Sequence, residues 1–188
     1  RVLVKPANLM TSIFVLPFIG LISLLTGCGG GGGGGGSSTS TVTSLVKWSD
    51  FNPPGTVRAG GYSANSDFTG STTSFQVTGI SNQSYDTAGS SADITYRSDN
   101  TISAFKITTP NGVFSWDEAA GDTIDESNPE IVGVANSVPD SFAILVDALA
   151  LGWEYQTLGA WQTGLGTGSG AIGAISVGAE TTGANIPT

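Results

Sequence analysis

Cys28 is the only cysteine in a chain of 188 residues that contains no histidine. It follows Leu25-Thr26-Gly27, so its sulfur sits behind one branched apolar residue and two small ones, which leave the preceding peptide bond open to a peptidase. With no second cysteine to pair with, the chemistry open to this sulfur is attachment of a group rather than disulfide formation. Other chemistry is poorly provided for. A Ser-His-Asp triad and the usual zinc sites both need histidine or several cysteines, and no serine stands in a Gly-x-Ser-x-Gly elbow. Asp117 and Glu118 are adjacent, and neighbouring residues of a strand point to opposite faces, so the two carboxylates cannot flank one glycosidic bond. The acidic run continues through Asp122, Asp125, Glu126 and Glu130 without the Asp-x-Asp-x-Asp-Gly spacing of a calcium loop. It reads as hydrated surface charge. No catalytic residue, metal or cofactor is expected.

The elements around Cys28 explain what would position it. Arg1 and Lys5 make a short basic head, and Ile13 to Leu25 follow as an apolar run of 13 residues. That is the length of the core of a signal peptide and too short to span a bilayer comfortably. The sequence from Leu25 to Cys28 resembles the lipobox of bacterial lipoproteins, with Leu25, Thr26 and Gly27 recognised by the signal peptidase. The resemblance implies cleavage before Cys28, a thioether-linked diacylglycerol on its sulfur and a further acyl chain on its amino group. Two or more chains anchor a protein stably, at about 0.8 kcal/mol per buried methylene. Gly29 is not the aspartate that retains many lipoproteins in the inner membrane, so delivery to the outer membrane, with a surface-exposed or periplasmic body, is expected.

Gly29 to Gly36 form an unbroken glycine run, and Ser37 to Thr43 add one apolar residue, Val42. A dozen or so such residues behave as a coil spanning about 20 Å. A phosphate-cradling loop would need a following Gly-Lys-Ser/Thr, which is missing. Residues 1–27 are therefore read as leader, 28–44 as lipidated cysteine and tether, and 45–188 as the folded body. Without Arg1 and Lys5 the chain keeps 4 basic residues against 15 acidic ones, a net −11. Nucleic acid is excluded as a partner on that balance.

The body reads as all-β. Asn52-Pro53-Pro54-Gly55 marks a turn, and from there the periodicity is close to two. Phe75, Val77 and Gly79 share one parity, and Ala92, Ile94 and Tyr96 share another. Strands are predicted over Ile102 to Thr109, Val113 to Trp116, Ile131 to Ala135, Phe142 to Asp147 and Ile172 to Val177. Pro110-Asn111-Gly112 supplies a turn, giving an antiparallel meander. Trp153, Tyr155, Thr157, Gly159 and Trp161 alternate with polar and small residues, so one strand with its aromatic side chains in the core is predicted there. The glycines from Gly164 to Gly170 read as a hairpin connection.

The segment from Leu151 to Trp161, with Ser176-Val177-Gly178 and Ala184 to Thr188 after it, resembles the signature of transferrin-binding-protein-like surface lipoproteins. Leu158 stands where that family usually has Phe. Thr109-Pro110-Asn111-Gly112 followed by Trp116-Asp117 is similar to a second recurring piece of its small members. The resemblance implies strands leading into a C-terminal β-barrel, and places the chain at the N-terminal part of such a domain, with the barrel itself beyond residue 188 and edge strands left unpaired. It also implies a non-enzymatic role: binding a host protein or a small solute at the cell surface, with a structural or adhesive role, or a lipid-anchored hydrolase, as the alternatives.

Overall fold

In a computed structural model, the structure describes residues 42–44, 47–72, 76–86, 89–136 and 140–179. Cys28 with Leu25, Thr26 and Gly27, the glycine run, Phe75 and Ala184 to Thr188 lie outside these residues.

The described residues form one sheet of eleven strands, β1 (Val42–Ser44), β2 (Gly55–Gly70), β3 (Val77–Tyr85), β4 (Ser90–Tyr96), β5 (Ile102–Thr109), β6 (Gly112–Asp117), β7 (Thr123–Asp125), β8 (Ile131–Asn136), β9 (Ser141–Val146), β10 (Gln156–Thr163) and β11 (Ser169–Gly178). A short helix, α1 (Ala148–Leu151), joins β9 to β10. Nine strands run in the order β6-β5-β4-β2-β11-β10-β9-β8-β7, each antiparallel to the next. Two meanders, β4-β5-β6 and β7 to β11, are thus joined through the 16-residue β2.

The sheet curls until β6 and β7, its two ends, come together. Along an antiparallel path of nine strands the first and last run in the same direction, so they cannot extend the antiparallel ladder into a closed ring. Side chains bridge the seam instead: Asp122 Oδ2 accepts from the Asp117 amide at 2.8 Å, and Glu126 accepts from the Ile102 amide. The strands expected to precede a barrel therefore already form a nearly closed one. The two end strands of the main sheet meet without forming a ladder with each other.

Alternation assigns one face of every strand to the interior. Val57 and Ala59, Ala92, Ile94 and Tyr96, Phe105 and Ile107, Val132 and Val134, Ala143 and Leu145, and Ile175 and Val177 all belong to one buried cluster with Trp48, Trp116 and Trp161. Phe114 of β6 meets Trp161 of β10 at 5.3 Å between ring centres, although five steps of the sheet separate the two strands. Side chains from opposite walls therefore fill the lumen. Gly173 makes room for this packing, since a Cβ there would collide with the Trp161 ring and come within 2.7 Å of the Ala64 carbonyl oxygen. The indole N–H groups of Trp48, Trp116 and Trp161 have no hydrogen-bond partner in this core. The loss of about 1–3 kcal/mol per group is smaller than the roughly 5 kcal/mol gained by burying a tryptophan's area.

Two sequence expectations need correction. Residues 42–44, read as tether, pair in parallel with Thr56, Val57 and Arg58 of β2. The aromatic strand begins at Gln156, so Trp153 and Tyr155 precede it. The acidic run holds one short strand, β7, whose Ile124 packs against the core.

Candidate functional site

The site is built from a buried pair outward. Tyr96 and Asp147 are both buried, and the Tyr96 hydroxyl donates to Asp147 Oδ1 at 2.8 Å. The same oxygen accepts from the amides of Leu149 (2.9 Å) and Ala150 (3.3 Å), so Asp147 caps α1. Burial raises the Asp147 pKa above its ordinary value against the opposing pull of these hydrogen bonds. The Tyr96 pKa is raised by burial and by the neighbouring Asp147 charge, which keeps the phenol a donor. One turn later, Gly152 ends α1 with φ of 68°, a left-handed conformation that favours glycine, and returns amide hydrogen bonds to the helix.

The chain that leaves Gly152 is held at each step. The Trp153 amide donates to the Ala148 carbonyl at 2.8 Å, the Glu154 carbonyl accepts from the Trp48 amide at 2.8 Å, and the Tyr155 carbonyl accepts from the Ala179 amide at 2.8 Å. The backbone is fixed while the rings stand out: Trp153 is 43% exposed and Tyr155 55%. This overturns their predicted place in the core; of the three aromatic residues only Trp161 is buried. Period-two spacing continued through Trp153 and Tyr155, but α1 and its αL cap put them in a loop, where alternation carries no information about burial. A signal for that loop was present in Asp147-Ala-Leu-Ala-Leu-Gly152, a capping aspartate followed by a terminating glycine. The sequence reading passed over it, and with it the role of Tyr96 and Asp147.

This aromatic loop lies at the end of the barrel where β1 joins β2, because Gln156 pairs with Gly178, Gly178 with Gly60, and β1 continues along the same edge of β2 at Thr56 to Arg58. β1, the first strand of the described residues, therefore lies at this end.

On the outer face of β2, β4 and β5, Asp93 is gripped by Arg58, through Nε at 2.6 Å and Nη2 at 2.8 Å, and by Lys106 at 2.7 Å. Burial pushes the Asp93 pKa up, but the hydrogen bonds and charges of Arg58 and Lys106 outweigh it and hold the pKa below 3.8. The other two basic side chains of the described residues are also paired, Lys47 with Asp50 at 3.7 Å and Arg97 with Glu118. Each cation is therefore already engaged by a carboxylate. On the outer face of β2, β4 and β5 three charged side chains gather, whereas the face towards the lumen is apolar. No helix among the described residues is long and apolar enough to cross a membrane.

The acidic run has a structural use that the sequence reading, which took it as hydrated charge, did not give it. Asp117 accepts from the Ala119 amide at 2.8 Å, Asp125 from the Ser127 amide at 2.9 Å, and Asp122 and Glu126 tie the seam. Among the described residues no three metal-ligating side chains gather at one place. No protein family, curated protein or solved structure matches the chain.

Proposed function

We propose that the chain is a lipid-anchored lipoprotein of the outer membrane whose body binds a host protein or a solute without catalysing a reaction, and that Trp153 and Tyr155 make the contact. The observation that carries the binding role is the pair of exposed rings on a backbone fixed at 148–155. Aromatic side chains dominate binding hot spots, and a contact surface already ordered before binding spares the entropy of fixing it. Packing of the lumen by Trp161, Phe114 and their neighbours favours a ligand held on the outside. The lipobox at Leu25 to Cys28 supports the anchor. The resemblance to transferrin-binding-protein-like lipoproteins agrees with both halves of the proposal.

The test is made in cells that express the whole chain. Cys28→Ser is expected to abolish palmitate labelling and to release the protein from the outer-membrane fraction; labelling that survives refutes the anchor. Trp153→Ser with Tyr155→Ser is expected to weaken capture of a ligand from host serum or envelope extract by about 30-fold or more, the equivalent of one hot spot of about 2 kcal/mol. Capture that is indifferent to both substitutions refutes the assigned surface, while the anchor stands or falls on the first result.

A further inference from the structure

The aromatic loop carries charge as well as rings. Glu154 stands between Trp153 and Tyr155 in the chain and is exposed with them. Glu130, also exposed, is brought near by its backbone. Its carbonyl accepts from the Asp147 amide at 2.9 Å, and the next residue, Ala148, holds the Trp153 amide at 2.8 Å. These two carboxylates differ from the others. Elsewhere among the described residues each acidic side chain already serves the fold, either facing a cation or accepting from an amide, a hydroxyl or an asparagine. The side chains of Glu130 and Glu154 meet no donor and no cation among the described residues. The Trp48 amide, bound to the Glu154 carbonyl, brings Lys47 to the loop, but Lys47 is held by Asp50 at 3.7 Å and that pair has no net charge.

A partner that spans both rings also covers the residue between them. Taking water from a carboxylate that gains no counter-charge opposes binding, whereas a cation on the partner turns the same group into an attraction. A guanidinium suits both parts of the loop, since its flat face stacks on an aromatic ring and its N–H fork meets a carboxylate. We infer that the partner taken by Trp153 and Tyr155 is a protein with a basic segment, whose arginine or lysine side chains lie against these rings and pair with Glu154 and Glu130. The inference rests on the binding role proposed above for the two rings. Charge selects this occupant. With a net charge of −9 the chain repels an anionic lipid surface, nucleic acid and a second copy of itself, and it draws a basic partner in from a distance. The described cations, each engaged by a carboxylate, do not blunt that field at the loop.

The full chain, taken up in neutral detergent, is titrated with a dye-labelled oligo-arginine peptide and with oligo-glutamate and glycine-serine peptides of the same length. Anisotropy of the dye reads binding, and protection of the exposed Trp153 from acrylamide reads its place. The arginine peptide alone is expected to bind and to shield Trp153, and to weaken by about tenfold or more when the ionic strength is raised to about 0.5 M. Glu154→Gln is expected to weaken it about fivefold. Asp67→Asn, which removes the same charge towards the far end of β2, is expected to weaken it less than about twofold. Equal losses from the two substitutions would overturn the inference, as would a glycine-serine or glutamate peptide that binds as well as the arginine peptide. Capture from serum separates this inference from the reading beneath it. Capture that falls with Trp153→Ser and Tyr155→Ser but ignores Glu154→Gln with Glu130→Gln keeps the aromatic site and overturns its basic partner. Capture indifferent to all four substitutions removes the site itself.

Discussion

Asp147→Ala strikes the support of the aromatic loop, and its cost follows from two separate losses. The first is the cap: the amides of Leu149 and Ala150, now held at 2.9 and 3.3 Å, lose their acceptor, which costs about 1 kcal/mol. The second is the Tyr96 hydroxyl, which stays buried with its 2.8 Å acceptor removed, at about 1–3 kcal/mol. Together these predict a loss of about 2–4 kcal/mol, or a fall in Tm of roughly 6–12 °C for a body of this size. Tyr96→Phe removes the stranded hydroxyl, so the double variant should recover about 1–2 kcal/mol relative to Asp147→Ala, a coupling readable in a double-mutant cycle. Asp147→Asn keeps an oxygen for both the cap and the phenol and places no charge in the core. It should lie within about 0.5 kcal/mol of the parent. Burial raises the Asp147 pKa in the folded chain, so the stability this group contributes is complete below 3.8 and is lost as the pH rises through the folded value. Asp147→Asn should therefore gain on the parent towards neutral pH and match it in acid. Thermal unfolding followed by circular dichroism measures these differences, and acrylamide quenching of Trp153, the exposed tryptophan of the described residues, reports the loop. An Asn variant as unstable as the Ala variant, or additive effects of Asp147→Ala and Tyr96→Phe, would refute the reasoning.

Further outcomes follow from the same structure. Gly173→Ala should cost about 1–3 kcal/mol by displacing the Trp161 ring, with a changed near-ultraviolet spectrum, whereas Gly60→Ala, where a Cβ meets nothing within 4 Å, should be neutral or stabilise by about 0.4–1 kcal/mol. Equal unfolding midpoints for the two would remove the argument for a packed lumen. Asp93→Asn should cost about 1 kcal/mol at neutral pH and low salt and less in high salt, because Arg58 and Lys106 are partly open to solvent. The Asp93 pKa is lowered on folding, so its stabilisation is present above 3.8 and lost as the pH falls through the folded value, the opposite sense to Asp147. A Tm difference between Asp93→Asn and the parent that grows in acid would contradict this.

Where the sequence reading succeeded, the deciding interactions were local. Ile102 to Thr109 was predicted as a strand with the bounds it has, and Ala92, Ile94 and Tyr96 all point inward as their shared parity required. Alternating apolar residues between Ser98-Asp99-Asn100 and Pro110-Asn111-Gly112 were enough, because turn residues and the two-residue period are properties of the chain itself. The expectation of an all-β body came from the same source. β2 was not recognised over its 16 residues. Its stretch from Gly60 to Ser66 is glycine, serine, asparagine and alanine around one tyrosine, with no apolar rhythm to read. These residues are a strand because β11 on one side and β4 and β3 on the other supply ladders for their backbone groups.

The sequence by itself determined the candidate anchor at Cys28, the acidic balance, the short strands and most of their turns, since each depends on residue type and spacing within about ten positions. Only the tertiary structure decided that the sheet nearly closes, that Trp161 is core while Trp153 and Tyr155 stand in solvent, and that the carboxylates of Asp122, Glu126 and Asp147 hold backbone amides. The physical reason is the same in each case. Pairing partners lie tens of residues apart, as Tyr96 and Asp147 do, and burial or exposure is a property of what the folded chain places beside a side chain rather than of its neighbours in sequence.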